Sequence, residues 1–472
     1  MSVATAPIEI AGLIETEPPP SPAGPVQDDR TIRMPPGRPQ RRLTQSLRFV
    51  ASPLRSNLAA RRDFGDVWQL RLLSRQEPFI VTCHPEHVHS LFKAAPADAP
   101  SLTGESPLRP ILGPNSVLTS VGARHMRQRK LLLPPFHGEA VQRYVEMIAR
   151  IAEQEIDRWP VGKPFALAPR MQAVTLDVIM GGVFGIVGAL PRGSAEQRLR
   201  DGVRRMLAAS TKPLYQLIEL QNAGRKEPRG ILRAALALVD RQVYAVIRRR
   251  RAQPAESGRH DVLSLLLQAR DEEGRELTDQ ELRDELMSLV LAGHETTANS
   301  LAWTFERLLR KPEPYDRLRE LVRKDDPAAA GYVEATIHEG MRIRPVIPMI
   351  VRMVKRRWQF GDYVVPAGTA VAVSIVALHH REDVYPDPFA FRPERFVDRK
   401  PGTYTWIPFG GGIRRCLGAT LAMAEQRVVL RAIAERTDLV APSAAPEKPR
   451  QRNVTMIPAR GGRVVVERKL AA

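Results

Sequence analysis

The chain has 472 residues, 43% of them hydrophobic, so it can bury a large core, and length alone suggests two or three domains of roughly 150 residues each. A net charge of +19 leaves nucleic acid, an anionic membrane surface or an acidic protein as candidate partners, but with no nucleic-acid motif and only 6% aromatic residues a nucleic-acid role is set aside. Two cysteines, Cys83 and Cys416, exclude a disulfide framework and a multi-cysteine zinc site, which fits a reducing cytoplasm.

Met1 to Glu17 carry acids where a secretory signal would carry bases, so no targeting segment is expected. Residues up to about Gln40 are rich in proline and poor in large apolar side chains, and the expectation is a flexible leader over 1–40. Strand candidates follow at Val67–Leu72 and Phe79–Thr82, and successive helices are expected from about Pro85 to Leu309. The most apolar stretch, Val178 to Leu190, is too short for a membrane span and is interrupted by glycines, so it reads as a core helix with its exit turn. Cys83 reads as a small buried hydrophobe. The run Arg248 to Arg251 closes a helix, where cations suit the negative end of the dipole. Strand and turn signals return at Val351–Val354 and Trp358–Val376, and the last stretch mixes a helix with short strands. The fold class expected is mainly α with a minor β component.

One helix stands apart. Thr278 and Glu281 form a capping-box pattern, and the helix should run to about Arg310 with Pro312 as its stop, roughly 50 Å at 1.5 Å per residue. Leu286 to Ala292 is apolar nearly all round, so its middle should be buried. Next comes Gly293-His294-Glu295-Thr296-Thr297. A zinc-protease pattern would need a second histidine where Ala298 stands, and that reading fails. Thr296 could simply bond back to the Ala292 carbonyl. An acid beside two threonines in an apolar helix is nonetheless costly without a use.

The most informative segment is Phe409-Gly410-Gly411-Gly412-Ile413-Arg414-Arg415-Cys416-Leu417-Gly418, followed by a helix from Ala419 to about Glu435. A cysteine at a helix N-terminus beside a cation has a lowered thiol pKa, and glycines allow a tight turn and close approach of a flat ligand. A soft thiolate in such a cradle suits iron. A phosphate loop would end in Gly-Lys-Ser/Thr, a dinucleotide fingerprint would need glycine at Arg415, and a cysteine nucleophile would want a histidine base that the sequence does not supply.

These residues match the phenylalanine-x-x-glycine-x-arginine-x-cysteine-x-glycine signature of the cytochrome P-450 family at every fixed position, and the resemblance covers residues 41 to 472 as one domain. The resemblance implies a long central helix over a haem, with the thiolate loop beneath it and Cys416 as axial iron ligand. Phe409, Gly412, Arg414 and Gly418 would cradle the haem b, and His125, Arg129, Arg352 and Arg414 would hold its propionates. Gly293 would leave room for dioxygen, Thr296 would hydrogen-bond it during activation, and Glu295 would relay protons. Glu339, Arg342 and Arg395 would form a buried ion network supporting the loop.

The implied activity is that of a cytoplasmic, monomeric monooxygenase without a transmembrane segment. Dioxygen is its cosubstrate, and NAD(P)H supplies electrons indirectly through a ferredoxin reductase and ferredoxin. The alternatives are peroxide-driven or rearrangement chemistry at the same centre, or a haem-based sensor. The substrate pocket would be lined by Ser101–Leu112, Ser288–Ala292, Val346–Ile350 and Val454–Ile457, mostly apolar and suited to a lipophilic molecule. Arg124, Arg127, Lys130, Arg415 and Arg427 are the cations expected to meet an acidic ferredoxin.

Overall fold

The computed structural model describes residues 18–102, 108–136, 138–210, 222, 225, 227–253 and 259–470. Strand β1 (Ala23–Pro25) precedes helices α1 (Arg42–Ala51) and α2 (Pro53–Phe64), strands β2 (Val67–Leu70) and β3 (Phe79–Thr82), and helix α3 (Pro85–Lys93). A helical stretch follows: α4 (Arg109–Leu112), α5 (Gly122–Leu132), α6 (Glu139–Asp157), the short strand β4 (Phe165–Ala166), α7 (Leu167–Phe184), α8 (Ala195–Ser210), α9 (Gly230–Ala252) and α10 (Val262–Gln268). The long helix is α11 (Asp279–Leu308), followed by α12 (Pro312–Arg323) and α13 (Ala329–Ile343). Strands β5 (Met349–Met353), β6 (Trp358–Phe360), β7 (Tyr363–Val365) and β8 (Ala370–Ser374) lead to α14 (Ile375–His379). Helix α15 (Ala419–Arg436) and strands β9 (Thr437–Val440), β10 (Pro449–Arg452), β11 (Thr455–Pro458) and β12 (Arg463–Lys469) complete the chain.

The mainly helical expectation holds, and the strands gather into small sheets beside the helical body. The largest has the order β2-β3-β8-β5, with β3 parallel to β8 and the other pairs antiparallel. Its β3 and β8 are buried along their whole length, as their unbroken apolar runs require. The helical core centres on α11, α7, α6 and α15, where Leu286, Met287, Val290, Ile179 and Val429 meet.

Helix α11 begins as its sequence demands. The Thr278 hydroxyl accepts from the Glu281 N–H, and the Glu281 carboxylate accepts from the Thr278 N–H at 2.9 Å, a complete capping box. Pro312 proves to open α12 at its first turn, where its missing N–H costs nothing. Val178 to Leu190 is a core helix and an exit turn, with Gly185 in the left-handed region at φ 68°. Among the described residues no helix is long and apolar enough to cross a membrane. Three of the four arginines that close α9 are paired: Arg249 with Glu196, Arg250 with Asp261, and Arg251 with both Glu276 and Asp279.

The expected leader is corrected from Pro18 onward; residues 1–17 lie outside the described residues. Strand β1 pairs antiparallel with β6, Arg33 exchanges backbone hydrogen bonds with Val364, and the Gln69 N–H bonds the Pro36 carbonyl at 2.7 Å. His84 Nε2 meets the Pro19 carbonyl at 2.9 Å, and His87 Nε2 meets the Ser21 hydroxyl at 2.8 Å. Burial, the largest effect, holds the His87 imidazole down to about 3, so it is neutral and bridges Ser21 to Thr82. A proline-rich strap needs no core of its own when existing sheet edges satisfy its backbone.

Candidate functional site

A cavity of about 620 Å³ runs between α11, the 408–418 loop, β5 and the start of α15. Its wall includes Leu289, Ala292, Gly293, Thr296 and Thr297 from α11, and Val346, Ile347, Met349 and Ile350 around β5. Phe409, Gly410, Gly411, Arg414, Cys416 and Gly418 come from the loop, and His125, Arg129 and Arg352 complete the set. Segments far apart in the chain therefore converge on one apolar chamber.

The loop is built by a few specific constraints. The Cys416 N–H bonds the Phe409 carbonyl at 2.9 Å, closing the turn. Gly410 and Gly412 both adopt left-handed backbone, at φ 66° and 61°, which side-chain-bearing residues rarely accept. At Gly411 a Cβ would run into the Phe92 ring, and at Gly412 into the Phe92 carbonyl. Two glycines thus serve the close approach of α3 as well as the turn. Gly412 does not border the cavity, contrary to its expected cradle role.

Cys416 also departs from expectation in its titration. Its side chain opens onto the cavity, and burial pushes the thiol up, against the pull of the Gly418 N–H, Arg415 and Arg129. The first residue of α15 is Ala419 with Gly418 as cap, so the sulfur stands outside the first turn and gains less from the dipole. Cys83 is fully buried, as expected, with its thiol pushed up by burial and by Asp66.

Four basic side chains meet at one end of the chamber. Burial lowers Arg352 and Arg414 to about 10 each, with Arg352 and Arg129 adding to the effect on Arg414. His125 is lowered to about 4 by burial and then by Arg414, Arg129 and Arg352. Their protein partners are carbonyls: Arg414 donates to Val117 at 3.0 Å and to Ser120, Arg129 to Arg415 at 2.8 Å, and Arg352 to Val351 at 3.2 Å. Among the described residues none of the four has a carboxylate partner.

The segment before α5 is pinned from the other side by acids of α11 that the sequence reading passed over. Asp284 accepts from the Asn115 N–H at 3.1 Å, and Glu285 from the Val117 N–H at 3.1 Å. Burial pushes Glu285 up to about 8, so it stands neutral in the core at pH 7.

The acid and alcohol of α11 separate. Thr296 lines the cavity, with its hydroxyl bonded to the Ala292 carbonyl at 2.6 Å. Glu295 is not in the wall: its carboxylate accepts from Arg452 at 2.6 Å and Thr455 at 2.9 Å, on the β10–β11 hairpin. Val454–Ile457, expected to line the pocket, is therefore corrected, because the hairpin is occupied in holding Glu295, and its Met456 carbonyl in accepting from Trp303. Gly293 borders the cavity, but the space of its missing Cβ is taken by Ile179 of α7. Ser101, Leu102, Ser288 and Val346 line the chamber as expected, and residues 103–107 of the expected loop lie outside the described residues. Ser74, Arg75 and Phe79 join them without a signal in the sequence.

Beneath the loop, Glu339 and Arg342 form a fully buried two-point pair at 2.6 and 2.8 Å. Arg342 also donates to the carbonyls of His379, Pro388 and Ala390, and Arg395 stands 3.6 Å from Glu339. Removing one partner of such a pair costs about 3–5 kcal/mol, because the other is left charged and buried. His379, which no motif marked, joins this network to the loop. Its Nδ1 meets the Arg342 carbonyl and its Nε2 accepts the Ile407 N–H at 2.9 Å, so it is neutral.

The Cytochrome P450 family model matches residues 36–465 of the chain. The chain belongs to the cytochrome P450 family. It is 36% identical over 430 residues to putative cytochrome P450 137 of Mycobacterium tuberculosis, covering 88% of this chain and 86% of that protein. It is equally 36% identical over 444 residues to putative cytochrome P450 135B1 of Mycobacterium bovis, covering 92% of each. Among solved structures it resembles retinoic acid-bound cyanobacterial CYP120A1, with a TM-score of 0.77 at 22% identity, over 93% of this chain and 100% of that one. The haem domain of cytochrome P450DA gives the same TM-score at 23% identity, over 93% and 98% of the two chains. These two likenesses establish the fold.

Members of the family are haem-thiolate monooxygenases that use haem b, dioxygen and NAD(P)H-derived electrons delivered by a partner. The residues present fit that group. Holding cations out of water without a counter-charge is costly, and a chamber with the buried Arg352, the half-buried Arg129 and Arg414 and the neutral His125 at one end calls for a ligand that carries carboxylates. Apolar walls and a cysteine on the same cavity suit a flat iron porphyrin.

The loop geometry makes a stability prediction. Gly411→Ala should cost about 1–3 kcal/mol through overlap with the Phe92 ring. Denaturant unfolding of Gly411→Ala, Phe92→Ala and the double variant should show the pair costing less than the sum. Additive losses would contradict the contact.

Proposed function

We propose that the chain is a monooxygenase of lipophilic organic molecules, with Cys416 as thiolate ligand to the haem iron. The observation that carries this reading is the chamber shared by Cys416, Thr296 and four basic side chains that have no carboxylate partner among the described residues. His125, Arg129, Arg352 and Arg414 would hold the propionates, and Phe409, Gly410, Gly411 and Gly418 would face the ring. Bound there, haem supplies the iron chemistry that activates dioxygen with two electrons and two protons, placing one oxygen atom in the substrate and releasing the other as water.

The protein's own groups then have distinct tasks. Leu289, Ala292, Val346, Ile347 and Ile350 exclude water and favour an apolar substrate. Thr296, whose proton is given to the Ala292 carbonyl, can offer its lone pairs to a water or turn to donate into the chamber. Glu295 is about a quarter exposed and held by Arg452. It is assigned the role of taking up solvent protons behind Thr296. Peroxide-driven chemistry is the second reading, and the Thr296 hydroxyl on the cavity wall favours oxygen activation over it.

The electron donor proposed is an acidic ferredoxin served by its own reductase, and the cations expected to receive it divide into two groups. Arg127 is held by Asp271 at 2.7 Å and Glu281 at 2.8 Å, Lys130 by Glu272 at 2.6 Å, and Arg427 by Glu334 at 3.3 Å. Arg124 and Arg415 are exposed and have no acidic partner among the described residues. The docking role is therefore assigned to these two.

Thr296→Ala should retain haem and keep consuming reduced nicotinamide. Product per electron pair should fall by about tenfold or more, with hydrogen peroxide rising to match. Unchanged coupling would leave Thr296 with its structural bond alone. Arg124→Glu and Arg415→Glu should slow first-electron transfer from an acidic ferredoxin, most clearly at low salt, since such charges are screened over about 8–10 Å. Stopped-flow reduction that is indifferent to both reversals and to salt would refute docking on this face.

A further inference from the structure

Helix α1 is laid on the protein with its apolar side outward. Its buried residues are Gln45 and Phe49, whereas Leu43, Leu47 and Val50 are 55%, 62% and 47% exposed. The spacing i, i+4, i+7 puts those three on one stripe, facing away from the body. The inward glutamine is fully used: its amide nitrogen donates to the carbonyls of Arg38 and Gln40, and its oxygen accepts from the Arg71 N–H. Orientation is therefore fixed by hydrogen bonds, and the apolar stripe is left to the outside. Leu73, 62% exposed, belongs to a loop whose N–H bonds the Ser46 hydroxyl of the same helix at 2.9 Å.

Charge around the stripe is predominantly positive, although Arg38, Arg61 and Arg62 pair with Asp63 or Asp66, and Arg75 pairs with the exposed Glu77. From Arg30 to Arg62 there are nine arginines and no acidic residue. Exposed Arg41 and Arg48 have no acidic partner among the described residues. We propose that the outward face of α1, together with Leu73, docks this protein on an anionic lipid surface, the helix lying in the headgroup plane. Outward leucines flanked by arginines on a basic protein are what such a surface recognises. Nucleic acid would use the arginines and leave the leucines in water, and an acidic protein partner would not call for three aligned apolar side chains.

The position of the face gives the contact a consequence. Helix α1 is tied to the 71–76 loop by Gln45, by Ser46 and by Arg42, which donates to the Gln76 carbonyl. The same loop supplies Ser74 and Arg75 to the wall of the large cavity, and Ser74 is also exposed, so the cavity reaches the surface there. Docking through α1 would set that opening beside the lipid, where a lipophilic molecule is concentrated.

The test is flotation of the purified full-length haem protein with vesicles of phosphatidylcholine alone or mixed equally with phosphatidylglycerol. The parent should float with mixed vesicles at low salt and much less with neutral ones. Leu43→Ser/Leu47→Ser/Val50→Ser should lower the bound fraction by about tenfold or more, from the apolar area lost. Arg41→Glu/Arg48→Glu should abolish the preference for anionic vesicles, and Leu238→Ser, an exposed leucine of α9, should change nothing. Unaltered absorption spectra report intact folding in each variant. A parent that ignores mixed vesicles, or a triple-serine variant that floats as well as the parent, overturns the proposal. So does tight binding to duplex DNA that the triple-serine variant retains in full.

Discussion

The constraint on which the rest depends is a concentration of positive charge that no carboxylate among the described residues neutralises. Arg129, Arg352 and Arg414 come from α5, β5 and the loop before α15 and reach the same end of one cavity, beside a His125 imidazole that burial and these arginines keep neutral. Backbone carbonyls orient the three arginines but remove no net charge. Taking Arg352 fully, and Arg129 and Arg414 partly, out of water without a counter-charge is costly for a fold of ordinary marginal stability. The arrangement makes sense as half of a site whose other half is an anionic cofactor, and the family of the chain supplies one in haem b.

Holding such a site open requires rigidity around it. The fully buried Glu339–Arg342 pair spends its remaining donors on the carbonyls of residues 379, 388 and 390, and His379 passes the constraint to the Ile407 N–H just before the loop. On the other side Phe92 fills the space that Gly411 leaves, so α3 presses directly on the loop. Helix α11 contributes twice, through the cavity wall around Thr296 and through Asp284 and Glu285, which fix the segment leading to His125. Burial, pairing and backbone geometry here serve position more than stability.

What was legible in the sequence was local. The capping box at Thr278 and the glycine turn before Cys416 are short patterns whose partners lie within a few residues, and both appear as read, whereas the Glu339–Arg342 pair was legible only through resemblance to a family. The convergence of His125, Arg129, Arg352 and Arg414 was legible only through resemblance to a family. Contacts between distant segments were not legible at all. Nothing in the neighbourhood of Glu295 announces Arg452, which lies 157 residues away. Likewise nothing near Arg127 announces Asp271, and nothing near Gly411 announces the Phe92 ring beside it. Composition misled at the strap, where prolines that cannot form a core still complete the edges of sheets built by others.

The central claim is that Cys416 supplies the thiolate to an iron porphyrin seated against those cations. The measurement that meets it most directly is the absorption spectrum of the reduced, carbon-monoxide-bound protein, compared between the parent, Cys416→Ser and Cys83→Ser. A thiolate pushes electron density onto the iron and moves the Soret band far to the red. The parent and Cys83→Ser should both show that band, and Cys416→Ser should lose it. Persistence of the red-shifted band in Cys416→Ser would contradict the assignment.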